Sequence, residues 1–213
     1  MSSGSVVGTV AGPGVASPRL SSPSRKTFTG SAQSIGLWVF IGVGSTLFTL
    51  FLVAYVMRMS EPDATAIGMP WQLWLSTAWL LAGSALMQRS GTLVGPDSRA
   101  HALLIAAGLC ALVFVAVQWW AWQAMLGQRV SFQGNPAGSF FYVLTALHAL
   151  HVIGGLAAWA VALRGLRTEG PEAVWRVHLC ARYWHFLLVV WLLLFAAMSL
   201  ITPEIAGIIC GTR

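Results

Sequence analysis

The sequence predicts an all-α integral membrane protein, a bundle of five transmembrane helices. Two observations carry this reading. Of 213 residues, 57% are hydrophobic and only 8% are charged, against roughly 25% charged in an ordinary soluble domain. The apolar residues also fall in long blocks: Ile35–Met57, Trp71–Met87, Ala102–Trp122, Ser139–Leu163 and Tyr183–Ile201. A helix rises about 1.5 Å per residue and the hydrocarbon core is about 30 Å thick, so roughly 17–25 apolar residues cross it. Each block fits that length and exceeds the roughly 10 residues of a barrel strand. A helix also satisfies its own backbone hydrogen bonds in lipid, as an open sheet cannot.

With flanking turns, the spans are expected at 35–57, 71–88, 101–122, 139–163 and 178–201, forming one transmembrane domain over 35–201. None has a charged side chain near its middle. Residues 1–34 are rich in Gly, Ser, Pro and Thr, with few large apolar residues before Phe28, and are expected to be a disordered tail. They lack the early charge and apolar core of a signal peptide. Residues 202–213 are expected to be a short tail on the far side. Breakers mark the connectors: Glu61-Pro62-Asp63, Gly95-Pro96-Asp97, Gly134-Asn135-Pro136 and Gly170-Pro171-Glu172.

The net charge of +6 does not indicate nucleic acid, because the basic residues are spread among the segments between spans. Nine of the twelve fall on one predicted side: Arg19, Arg25, Lys26, Arg89, Arg99, Arg164, Arg167, Arg176 and Arg182. Arg58, Arg129 and Arg213 fall on the other. The richer side is expected to be cytoplasmic, with the N-terminus inside and the C-terminus outside. All six acidic residues lie in connectors or the tail. A pump or proton-coupled transporter normally keeps an ionisable acid within the membrane. The three cysteines show no metal-binding spacing and read as unpaired thiols.

Two stripes carry the candidate chemistry. In the fourth span Thr145, His148, His151 and Gly155 share one helix face. Structural hydrogen bonding, or contact with lipid or a neighbouring subunit, explains them better than metal or haem. Zinc needs three or four ligands, and both imidazoles project from one side of one helix. Gly154 and Gly155 would let another helix come close. In the last span His178, Arg182 and His185 are spaced i, i+4 and i+7, with Trp184 beside them near the interface. A snorkelling arginine is one reading, and a basic groove for lipid phosphate or a partner's carboxylate is the other. Arg164 and Arg167 would add to the same rim.

Three stretches resemble subunit III of the haem-copper terminal oxidases, in its short five-helix bacterial form. They are GLWVFIGVGSTLFTLFLVAY (Gly36–Tyr55), SFFYVLTALHALHVIGG (Ser139–Gly155) with its paired histidines, and YWHFLLVVWLLLF (Tyr183–Phe195). LWLSTAWLLAGSALMQ (Leu73–Gln88) is similar to another helix of that form. The resemblance implies a non-catalytic subunit of an aerobic cytochrome c oxidase in the bacterial inner membrane. It implies packing against subunit I, with subunit II in the same complex, and phospholipid held in a cleft. It implies support for proton uptake and oxygen reduction, and no cofactor of its own, haem and copper belonging to the partner subunits. It would set Arg164 and Arg167 at a basic pair that contacts lipid phosphate. Two positions depart from the family. Gly44 stands where a buried glutamate is usual, and Leu188 where the long form has an aspartate. A quinol oxidase subunit and an accessory subunit of nitric oxide reductase stay open. A free-standing membrane haem protein is the remaining alternative.

Overall fold

A computed structural model describes residues 25–61, 68–93, 98–127, 136–165 and 171–211. Six helices follow in order among the described residues: α1 (Arg25–Met59), α2 (Gln72–Thr92), α3 (Ser98–Gly127), α4 (Pro136–Gly165), α5 (Pro171–Leu200) and α6 (Pro203–Cys210). Among the described residues there is no strand. Four helices among the described residues are long and apolar enough to cross a membrane, over Gln33–Met59, Arg99–Gly127, Gly138–Gly165 and Val174–Leu200. The second expected span, at 71–88, is a helix but is less apolar than these.

The reason lies in which way α2 turns its residues. Gln72, Leu73, Ser76, Thr77, Leu80, Gly83, Ser84, Met87, Ser90 and Gly91 are buried. They recur every three or four residues and so form one stripe. Trp74, Trp79 and Leu81 point outward and are exposed. The helix thus buries Gln72 and the hydroxyls of Ser76, Thr77, Ser84 and Ser90 alongside Leu73, Leu80 and Met87, and turns its tryptophans and Leu81 outward. Two of the buried hydroxyls are satisfied within the helix: Ser76 Oγ and Thr77 Oγ1 donate to Leu73 O at 2.9 and 2.8 Å. Small residues on both sides bring α2 and α3 together. A Cβ on Gly83 would lie 3.1 Å from Cys110 Cβ.

α5 lies at the centre, packed against α1, α2 and α4. Val177, Trp184, Leu187 and Trp191 are completely enclosed along it. Gly155 admits α5 to α4, since a Cβ there would meet Leu187 Cδ1 at 3.1 Å and Tyr183 Cε1 at 3.2 Å. The expected close approach at this glycine is therefore present. α3 and α4 are joined by indoles. Trp159 Nε1 donates to Leu104 O at 2.7 Å, its ring lying where a Gly108 side chain would be. Trp122 Nε1 donates to Thr145 Oγ1 at 3.0 Å, and that hydroxyl donates to Phe141 O at 2.6 Å. Trp191 Nε1 binds Thr77 Oγ1 in the same way at 2.9 Å, joining α5 to α2.

Two boundaries differ from expectation. α1 begins at Arg25, inside the stretch 1–34 expected to be a tail. A helix does not stop where its apolar block stops, and Lys26–Gln33 holds no proline to end it. The expected outer tail, 202–213, contains α6. Thr202 caps it by accepting from Ile205 N at 3.5 Å, Pro203 opens it, and Gly211 closes it in the left-handed conformation at φ 67°. Residues 1–24 and the connectors at 62–67, 94–97, 128–135 and 166–170 lie outside the described residues, as do 212–213.

Candidate functional site

The last-span stripe forms on α5 as its spacing requires. His178, Arg182 and His185 are all exposed, and they line a groove of about 540 Å³. α1 supplies the apolar wall of this groove with Leu37, Trp38 and Ile41, and α2 supplies Gln88. His185 Nδ1–H donates to Ala181 O at 2.7 Å, with Ser84 Oγ at 3.5 Å from the same nitrogen. This bond fixes the ring and leaves Nε2 for another partner. His178 sits against Gly91, whose missing side chain leaves room for the imidazole at 3.6 Å. A cationic guanidinium, two imidazoles and a carboxamide beside an apolar wall suit an anionic headgroup attached to a hydrocarbon chain.

A second cleft, of about 560 Å³, opens between α1, α4 and α5. Its floor is Gly154, Ala158 and Ala162, one turn apart on α4. Leu37, Phe40, Leu179 and Tyr183 form the walls, and Gln33 and Arg176 supply polar groups. Arg176 also lies against Gly165, at the C-terminus of α4, where a cation suits the helix dipole. The two clefts share Leu37, this one lined by α4 and the other by α2 beside α1 and α5.

The paired histidines of α4 share a stripe but not an environment. His148 is wholly buried, its ring 5.8 Å from that of Phe114 and 5.1 Å from that of Trp191. It is a core residue and offers lipid or a partner no surface. His151 faces α1, against Phe40 and Phe48, and Nδ1–H donates to Leu147 O at 2.8 Å. Its backbone carbonyl accepts from Tyr183 Oη–H at 3.0 Å. Among the described residues no three His, Cys, Asp or Glu side chains gather as a metal site.

Trp184 is completely buried and, like His148, offers lipid or a partner no surface. On the central helix, the face opposite Arg182 and His185 is enclosed by neighbouring helices. Arg164 is exposed at the end of α4, and Arg167 lies outside the described residues. Gly44 turns toward α4 and α5. A Cβ there would lie 3.3 Å from the Phe186 ring and 3.9 Å from His151 Nε2. Leu188 is half-buried against the core. Both positions are thus occupied by apolar packing. The contributions of Leu37, Trp38 and Gln88 had no signal in their own helices. The small-residue repeat Gly154, Ala158, Ala162 was visible in the sequence and marks the cleft floor.

Long apolar helices packed through small residues and interhelical indole bonds define a multi-pass helical membrane protein. Comparison with known proteins carries this further. No family model matches the chain. A probable cytochrome c oxidase subunit 3 of Nocardia farcinica is 36% identical over 89 residues, 40% of this chain and 43% of that protein. The matched part is therefore less than half the length of that relative. A probable quinol oxidase subunit 3 of Staphylococcus saprophyticus is 27% identical over 198 residues, 86% of this chain and 96% of that protein. The cytochrome c oxidase subunit 3 of Bacillus subtilis is 26% identical over 194 residues, 84% of this chain and 91% of that protein. The chain is a homologue of the subunit 3 proteins of cytochrome c and quinol oxidases.

Proposed function

We propose that this chain is the non-catalytic subunit III of an aerobic haem-copper oxidase in a bacterial inner membrane. It crosses the bilayer five times, α2 being the additional span. α2 has 21 residues, and at 1.5 Å each these reach about 31 Å, the thickness of the hydrocarbon core. Between Trp74 and Ala85 its hydroxyls all face the bundle, so the outward face of that stretch suits lipid despite the composition of the helix. The N-terminus is cytoplasmic and the C-terminus periplasmic, as the distribution of basic residues indicates. The chain packs against subunit I, with subunit II in the same complex, and those partners hold the haem and copper. It stabilises subunit I and supports sustained proton uptake during oxygen reduction.

The observation that carries the reading is likeness to oxidase subunit 3 proteins over more than four-fifths of the chain. Purification of the tagged chain from native membrane is the test. The expected result is co-purification with a haem- and copper-containing subunit and oxygen consumption by the preparation. A chain that purifies alone, with its own stoichiometric haem spectrum, would overturn the assignment in favour of a free-standing haem protein. The Staphylococcus likeness specifically favours a second reading, a quinol oxidase. The co-purified subunit II separates the two, since a copper-binding or haem c domain there indicates cytochrome c as donor.

Phospholipid is the ligand we assign to the grooves beside α1. The exposed Arg182, with His178 and His185, would hold a phosphate at the cytoplasmic rim, and the apolar wall would hold its acyl chain. Arg164 and Arg167 would serve as a further basic pair. Arg182→Ala is expected to lower the anionic phospholipid retained after detergent washing, measured by mass spectrometry. The double change of Arg164 and Arg167 to Ala is expected to act in the same direction. Retention equal to the unchanged protein in both variants would remove the lipid assignment.

A further inference from the structure

His148 differs from the histidines around it. His151 and His185 each give Nδ1–H to the carbonyl four residues earlier, at 2.8 and 2.7 Å. Neither ring nitrogen of His148 meets a hydrogen-bonding partner among the described residues, and its ring is 0% exposed. Gln118 on α3 is in the same condition. Its residue is 2% exposed, and neither Oε1 nor Nε2 is paired among the described residues.

These two side chains belong to facing stripes. Phe114, Gln118 and Trp122 recur every fourth residue and share one face of α3. Phe114 meets His148, with ring centres 5.8 Å apart. Trp122 binds Thr145, three residues before His148 on α4. Gln118 is one turn from each of these crossings, so it faces the part of α4 that runs from Thr145 to His148. A carboxamide brings two donor hydrogens and an acceptor, and an imidazole carries at least one N–H in either protonation state. Buried groups of this kind are nearly always paired, and where no protein group reaches them an ordered water with two to four partners does so.

We infer that Gln118 and His148 form a binding site for ordered water inside the bundle, bridging α3 to α4. Water suits the donor set, because one imidazole and one carboxamide both give and accept hydrogen bonds. A divalent metal does not suit it, because no thiolate or carboxylate joins them among the described residues. The site completes a series along the α3–α4 seam. Trp159 binds Leu104 O on one side of it and Trp122 binds Thr145 on the other. The inference does not depend on the oxidase assignment, since it concerns only the fold of the chain.

The test is a high-resolution cryo-electron-microscopy map of the full chain, in the assembly in which it is extracted. The expected result is water density within about 3 Å of the Gln118 carboxamide and a His148 ring nitrogen. A direct bond between the two side chains, or rotation of the imidazole onto a backbone carbonyl without water, overturns it. Thermal unfolding of Gln118→Leu, His148→Phe and the double variant gives a second readout. The double variant is expected to lose less melting temperature than the two single losses added, because either change already breaks the bridge. Additive losses overturn the bridge. If a variant does not fold, the map of the unchanged protein decides.

Discussion

Trp159 crosses from α4 to α3 because residue 108 has no side chain. Its indole lies over Gly108, and from there Nε1 reaches Leu104 O at 2.7 Å. A methyl group at 108 would occupy the space of the ring, so Gly108→Ala must push α4 away or swing the indole out. Either response loses the hydrogen bond as well as the packing. Overpacking of a close interior costs about 1–3 kcal/mol. Trp159→Phe shortens the ring without forcing the helices apart: it loses the N–H bond, and membrane hydrogen bonds average about 0.6 kcal/mol, and leaves a small cavity beside Gly108. The glycine change is therefore expected to be the more damaging of the two. Unfolding of each variant in mixed micelles checks the order, and a Gly108→Ala protein as stable as the parent would refute the close approach. Gly44 shows another use of a small residue. Phe186 and His151 close around it, so the space that a longer side chain needs is filled by the neighbouring helices.

At the scale of the element, α2 shows how one helix can carry polar residues and still present an apolar outward face. Its buried stripe carries Ser76, Thr77 and Ser84, while Trp74, Trp79 and Leu81 face outward. Lipid is as apolar as a leucine side chain, so helix association relies on small residues that pack closely and on polar groups that bond. Ser84→Leu is therefore expected to cost about 1–3 kcal/mol by overpacking. Leu81→Ala, on the outward face, should cost far less, because Leu81 is already 46% exposed. Unfolding midpoints measured side by side test this, and equal losses would mean that α2 does not present the stripe described. The helices were legible in the sequence because apolar blocks of span length have few alternatives. The histidine–arginine stripe of α5 was legible too, since i, i+4, i+7 spacing defines a face without reference to anything else. The groove around it was not, because Trp38 and Gln88 come from helices whose relative rotation is set by packing at distant positions. For the same reason the burial of Trp184 was not legible. One residue's rotation about α5 separates it from the exposed His185, and only the neighbouring helices show which of the two is enclosed. The helix α6 did have local signals, a Thr-Pro start and a Gly end, but its brevity hid it behind the longer spans.

At the scale of the whole molecule, the proposed orientation rests on charge and is open to a direct measurement. Nine of the twelve basic residues fall on the side assigned to the cytoplasm, and the cost of moving such charges across the bilayer during insertion favours that arrangement. The cysteines provide a built-in reporter of it. Cys110 and Cys180 are buried between helices, whereas Cys210 is exposed at the end of α6. α6 follows the last span and packs back against α1, so Cys210 belongs to the side opposite the basic rim. A membrane-impermeant maleimide applied to intact cells with a permeable outer envelope is expected to label the chain. Cys210→Ser is expected to abolish that labelling, which would assign it to one thiol. Labelling that appears only after the cytoplasmic membrane is opened would reverse the orientation. It would also move Arg182, His178 and the groove between α1, α2 and α5 to the outer leaflet. The anionic lipids that the groove is argued to bind would then have to come from that leaflet, so one labelling experiment tests both the topology and the side on which the lipid site must work.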